Sequence, residues 1–423
     1  MMFRKNTGGY RVTVVALLTT ATIINSFYRA SLSVAAPFIM KEFDVNSAVM
    51  GVALSAFFWS YVPGNLIGGR LADRYGTKIV LGVSFAAWSV FSAFTGLAQN
   101  IAQVIVTRLG VGFSEGPAFP VCAKIFAGNF PAKERGTVIG INSAGNRVGL
   151  ALCPIIMAVL ITQFGWRVAF LVTGLISLIW VVCWHFFFTD LARSKQASLG
   201  TPEQQVRVPW RRILTSKAIL ALIVVKFSQD FLQWQFLTWV PGYLITGRHF
   251  SVIEMGFYTS LAFGVASVAQ PGIGFISDWL IRRGWSINRA RKTVQVALQV
   301  FSATIIVTGF SQSKDIAMFF MVVAITAEST CAGHIWTIIA DVIPSKYMGS
   351  VGGLINALGA IAGIISPILT GVIAQVTGSF ELALTIGGSI ILVASVFLLF
   401  AVPSLNQQWA EVFDEALPAR QVA

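Results

Sequence analysis

The chain is expected to be an all-α membrane protein, with twelve transmembrane helices in two six-helix, pseudo-symmetric halves. Three observations predict this. The composition is 56% hydrophobic and only 11% charged, with mean hydropathy +0.76; soluble domains carry about 25% charged residues. The 423 residues hold twelve apolar stretches, and a spanning helix needs about 20 such residues. The second half of the chain also echoes the first.

The spans are placed near residues 12–38, 48–68, 79–98, 101–126, 137–162 and 168–188, then 218–245, 256–276, 293–311, 316–340, 349–374 and 380–402. The loops between them sort by charge. Of the 30 Lys and Arg, 21 lie on one side, while Lys41, Arg167, Arg248 and Lys314 lie on the other. The positive-inside rule therefore puts both termini and the central stretch in the cytoplasm; the membrane expected is a bacterial-type inner (plasma) membrane. The net charge of +13 is a topology signal. Without a basic domain outside the membrane, no nucleic-acid partner is expected. The partners expected are membrane lipid and a small solute, and the protein is expected to be a monomer.

Residues 189–217 are polar and hold Gly200 and Pro202. They read as a cytoplasmic linker between an N-terminal half (1–188) and a C-terminal half (218–402), with a cytoplasmic tail at 403–423. The repeat supports this division. Gly69 to Asp73 recurs as Gly274 to Asp278, Pro37 as Pro241, and Asn142, Gly145 and Gly149 as Asn356, Gly359 and Gly363. Duplicated helical halves with a site near the bilayer midplane are a transporter plan. Cys122, Cys153, Cys183 and Cys331 all fall in apolar spans and read as small fillers. No cofactor is expected: metal-ligand spacing, a nucleophile elbow and a phosphate loop are all missing, so neither an enzyme nor a primary pump is expected.

Charges inside the spans carry the chemistry, because each costs roughly 2.5–3.5 kcal/mol in a bilayer and such residues mark solute paths. Arg29 lies roughly 25 Å along its span from the cytoplasmic side, too deep to snorkel easily. Always protonated, it needs an anion, either a protein carboxylate such as Glu115 or a substrate. Arg108 and Glu115 are seven residues apart, on one helix face, and could form a gating or coupling pair, or a static salt bridge. Burial favours the neutral acid at Glu115 and arginine favours its carboxylate, so the group is poised to carry a proton. Pro117 and Pro120 could bend this helix. Lys124 reads as snorkelling to the cytoplasmic interface.

Arg147 sits mid-span among Asn142, Gly145, Asn146 and Gly149, where substrate contact and structural pairing are both open. Lys226 and Asp230, four apart, read as a pair. Gln233 occupies the repeat position of Arg29 and offers hydrogen bonds to substrate hydroxyls. Glu328 and His334 form a polar stripe that could relay protons, although His334 also fits a satisfied core residue. Tyr28, Tyr61 and Trp239 are candidate pocket walls, and aromatics there also suit an interfacial belt.

Gly69-Arg70-Leu71-Ala72-Asp73-Arg74-Tyr75-Gly76-Thr77-Lys78 resembles the loop signature of the major facilitator superfamily. In that family the loop holds the cytoplasmic helix ends together in the outward-open state. The resemblance thus implies conformational roles for Gly69, Asp73 and Arg74, and for Asp278 in the degenerate second copy. Arg29 to Pro37, Ser55 to Tyr61, Phe130 to Gly136, Gly165-Trp166-Arg167 and Leu237 to Leu244 are similar to segments of the anion:cation symporter family. That family includes bacterial sugar-acid and phthalate permeases, with sialin and vesicular glutamate transporters as relatives. The resemblance implies a proton-coupled importer of a small organic anion, a carboxylate such as a sugar acid or a sulfonate, working by alternating access. An anion antiporter or uniporter is the alternative, and a membrane sensor or channel a more distant one. One position departs from the pattern: bacterial sugar-acid members carry an acid immediately before the first-helix arginine, and here Tyr28 stands there. This leaves Glu115 as the main proton carrier.

Overall fold

A computed structural model describes residues 8–189, 210–343 and 345–401. Among these residues the chain is helical and contains no strand. The expected linker lies largely outside the described residues, and the expected tail wholly so.

The described residues divide into two compact units, one of 8–189 with 240–260, the other of 210–239 with 261–343 and 345–401. The first holds α1 (Gly8–Glu42), α2 (Ser47–Tyr75), α3 (Thr77–Thr95), α4 (Ile101–Glu115), α5 (Ala118–Asn129) and α6 (Ala132–Phe187). A short helix, α7 (Trp210–Thr215), precedes α8 (Lys217–Gly242), a π-helical turn (Tyr243–Gly247) and α9 (Val252–Arg282). There follow α10 (Ile287–Ser302), α11 (Ile305–Phe310), α12 (Lys314–Val342), α13 (Ser345–Ala360), α14 (Ala362–Thr377) and α15 (Glu381–Ala401).

Nine helices among the described residues are long and apolar enough to cross a membrane. One of them, α6, is two crossings joined at Gly165, whose φ of 80° and ψ of 161° lie outside the helical region. Glycine is needed there because a side chain disfavours positive φ. The fourth expected crossing breaks at Gly116-Pro117 into α4 and α5, since proline supplies no N–H to the helix ladder. The seventh, α8, carries Lys226 and Asp230 in its apolar stretch. Counting α6 twice and adding these two gives the expected twelve.

In the first unit α1 packs on α6, α2 on α4, and α3 against both α4 and α6. The α2–α4 seam is lined with glycine: a Cβ on Gly64 or Gly112 would collide with the backbone of the opposite helix. Small residues at four-residue spacing let membrane helices approach to backbone contact. The α1–α6 seam is polar instead. Thr22 Oγ1 donates to Asn142 Oδ1 at 2.9 Å, and Asn146 Nδ2 donates to Ser26 Oγ at 2.7 Å. The turn at Gly165 is clamped by Glu42, which accepts from Trp166 Nε1 at 2.6 Å and from Arg167 Nη2 at 2.7 Å.

In the second unit α10 and α11 pack against α12 and α15. Its apolar core includes Leu222, Ile335, Ile339, Val351 and Leu398.

Candidate functional site

The α2–α4 seam fixes the site. By drawing α4 against α2 it brings Glu115, the last residue of α4, beside the aromatic face of α2 formed by Phe57 and Tyr61, whose rings stack 5.3 Å apart. Arg29 enters from α1. Its Nη2 pairs directly with Glu115 Oε1, and its guanidinium lies 5.3 Å from the Phe57 ring and 5.5 Å from the Tyr61 ring. Aromatic faces attract a cation, so the guanidinium is held by a carboxylate and by two ring faces.

The pair borders a cavity of about 160 Å³, whose wall includes Arg29, Glu115, Tyr61, Asn25, Asn142 and Asn146. The Arg29 side chain is 21% exposed and that of Glu115 only 2%. Both line the cavity, and the arginine presents more of its surface than the carboxylate.

Arg108 sits deeper. It is buried, stacks on Phe57 at 5.7 Å, and makes a long contact of 3.5 Å from Nη1 to the Tyr28 carbonyl. The expected Arg108–Glu115 pair is not formed among the described residues, and Arg29 takes that place. Two helical turns separate residues 108 and 115 by about 10 Å along the axis, so sharing a face does not bring the two groups into contact. Arg108 instead adds positive charge behind the Phe57 ring.

Tyr28 turns away from the cavity, its hydroxyl donating to the Thr173 carbonyl and lying 3.1 Å from Ser177 Oγ on α6. The position that holds an acid in sugar-acid permeases is thus a phenol fixed against a neighbouring helix. Arg147 is half-buried on α6 and is not among the residues that border this cavity.

The second unit holds the other candidates. Gln233 is half-buried on α8, and Trp239 donates to the Pro367 carbonyl at 2.9 Å. His334 Nδ1 lies 2.9 Å from Gln295 Oε1. Gln295 and Gln229 both point amides at Cys331 Sγ, at 2.9 and 2.7 Å. Glu328 is buried one turn before Cys331. Lys226 and Asp230 pair as their spacing suggests, and their side chains fill the space that a Cβ on Gly359 would need.

At the signature loop, Asp73 pairs with Lys124, whose Nζ also donates to the Gly69 carbonyl at 2.8 Å. The Lys124 ammonium, expected at the cytoplasmic interface, ties α5 to the end of α2. Arg74 stacks on Tyr75 at 5.3 Å. In the second copy Asp278 pairs with Arg291 at 3.0 Å, and Arg291 also reaches Asp341 at 2.9 Å. Sequence reasoning missed Arg291 and the contact of Lys124 with the signature loop, and it missed Asn25 and Trp88 in the cavity wall. For Asn25 a signal existed, since it stands one turn before Arg29.

A multi-pass helical bundle that holds a buried arginine–carboxylate pair at a cavity is a membrane transporter rather than an enzyme. The chain belongs to the Major Facilitator Superfamily, whose sequence model matches residues 18–367. It is 31% identical over 402 residues to the hexuronate transporter of Bacillus subtilis (strain 168), covering 93% of this chain and 94% of that protein. It is 30% identical over 393 residues to the probable sulfoacetate transporter of Cupriavidus necator, covering 89% of this chain and 90% of that protein. Among solved structures it resembles a bacterial homologue of the human lysosomal transporter Spinster, with TM-score 0.78, 18% identity and coverage of 98% of this chain and 100% of the other. A D-xylose–proton symporter gives TM-score 0.75 at 16% identity, covering 94% of this chain and 99% of that one. The two structures speak for the fold alone.

Proposed function

We propose that the protein imports a small organic anion together with protons, by alternating access, across a bacterial-type inner membrane with both termini in the cytoplasm. The passenger is a carboxylate of the sugar-acid kind or a sulfonate. One observation carries the reading: Arg29 and Glu115 pair with each other in the wall of one cavity, the arginine being the more exposed of the two. A guanidinium forks onto carboxylate or sulfonate oxygens with two parallel hydrogen bonds. An anion that takes Arg29 removes the counter-charge of Glu115. A buried carboxylate without a partner is costly, so Glu115 then binds a proton. Anion and proton are coupled by charge balance at one site. With Tyr28 in place of the second acid, Glu115 is the single carboxylate in the cavity wall among the described residues, which favours one proton per anion. The hexuronate and sulfoacetate transporters among its relatives support an anionic passenger.

The test uses purified protein in liposomes with an acidic exterior and labelled hexuronate or sulfoacetate outside. The label is expected to accumulate above equilibrium and to leak back when a protonophore collapses the gradient. Uptake that stops at equal concentrations, whatever the pH gradient, would remove proton coupling and leave a uniporter or exchanger.

A further inference from the structure

The cavity holds hydrogen-bonding groups that the ion pair does not use. Asn25 lies four residues before Arg29 on α1, so the two side chains share a face and stand about 6 Å apart along the axis. Asn25 borders the cavity, and among the described residues its carboxamide makes no hydrogen bond. The other two carboxamides of the wall are engaged, Asn142 with Thr22 and Asn146 with Ser26. Trp88 borders the same cavity at 1% exposure, and its indole Nε1 is buried with no acceptor. Buried indole N–H groups usually find a partner. That N–H has no exposed surface, so the Asn25 carboxamide is the unused polar group that this wall presents beside the guanidinium.

We infer that Asn25 forms a hydroxyl-reading subsite beside the anion position, which selects a hydroxylated carboxylate over an unsubstituted acid or a sulfonate. The inference rests on the anion reading above. A carboxamide both donates and accepts, so it can serve either sense of a hydroxyl. A second anionic group is served less well, because Arg29 is the single cation in the cavity wall among the described residues. A site built to hydrogen-bond a hydroxyl rejects the analogue without it, because its own groups are then left unpaired.

The test measures binding to the purified full chain by calorimetry, using lactate against propionate, gluconate against hexanoate, and sulfoacetate. The wild type is expected to bind a hydroxylated acid at least about tenfold more tightly than its unsubstituted counterpart or sulfoacetate. Asn25→Leu is expected to bring that ratio close to one, and Asn25→Gln to restore it. Should Asn25→Leu fail to fold, Asn25→Ala, which removes the carboxamide without adding bulk, is expected to lower the ratio as well. A ratio unchanged in these variants overturns the subsite. So does wild-type protein that binds sulfoacetate best, or binds no hydroxylated acid. Sulfoacetate binding that needs Arg29 would leave the anion reading standing, whereas Arg29→Gln binding the whole panel like wild type would remove that reading instead.

Discussion

Glu115→Gln is expected to abolish accumulation of the anion against its gradient while leaving exchange of anion for anion intact. Glutamine keeps the size of the side chain and still offers Arg29 an oxygen, so the helix seam and the cavity persist. What it loses is the ability to ionise. In the wild type, one proton per monovalent anion lets a pH gradient of one unit raise the internal anion about tenfold, because a unit of pH is worth about 1.4 kcal/mol. In the variant the ratio falls to one. Because Glu115 is nearly inaccessible at 2% exposure while Arg29 is open to the cavity, the carboxylate acts through the arginine rather than by touching the passenger. This is why exchange, which needs only the arginine, is expected to survive. Accumulation unchanged in Glu115→Gln would take the proton away from this residue.

Arg29→Gln is expected to be more severe, removing binding as well as coupling. Truncating one partner of a buried, hydrogen-bonded charge pair costs about 2–5 kcal/mol, or roughly 30-fold or more in affinity. The loss should appear as a weaker dissociation constant for every anion that the wild type binds, whatever its hydroxyl content. Arg29→Lys should restore little, because an ammonium has no planar fork to match two oxygens and spreads less well over the Phe57 and Tyr61 rings. Equal anion affinity in wild type and Arg29→Gln would place the binding site elsewhere.

The buried charges were legible in the sequence because each stands out against hydrocarbon. Arg29, Arg108 and Glu115 are singled out on that ground alone, and the glycine and proline that break α4 from α5 are visible beside them. Which charge meets which was only partly legible, because Glu115 stood as a possible partner for both Arg29 and Arg108. Helical periodicity reports the face of one helix, and it pointed to Arg108 as the partner of Glu115. The partner is Arg29, delivered by another helix across a seam set by Gly64, Gly112 and Gly116. Tyr28 shows the same limit: adjacency to Arg29 suggested the pocket, but neighbouring residues on a helix point about 100° apart, and the phenol binds α6. Lys124 was read from its depth alone, whereas Asp73 and Gly69 capture it. Asn25 passed unnoticed because, unlike Asn142 and Gln233, it is not part of the internal repeat that drew attention to uncharged carboxamides. Helix ends were also underestimated. The first span, placed at 12–38, is Gly8–Glu42, because helices continue beyond the hydrocarbon that hydropathy detects.

The exchange of Glu115 for a passenger anion on Arg29 is tested most directly by counting protons. Purified protein in weakly buffered solution with a pH-sensitive dye is titrated with an anion that it binds, at a pH where the anion itself is fully ionised. About one proton is expected to leave solution for each anion bound in the wild type, and none in Glu115→Gln. Stoichiometric binding in the wild type with no proton taken up would contradict the mechanism.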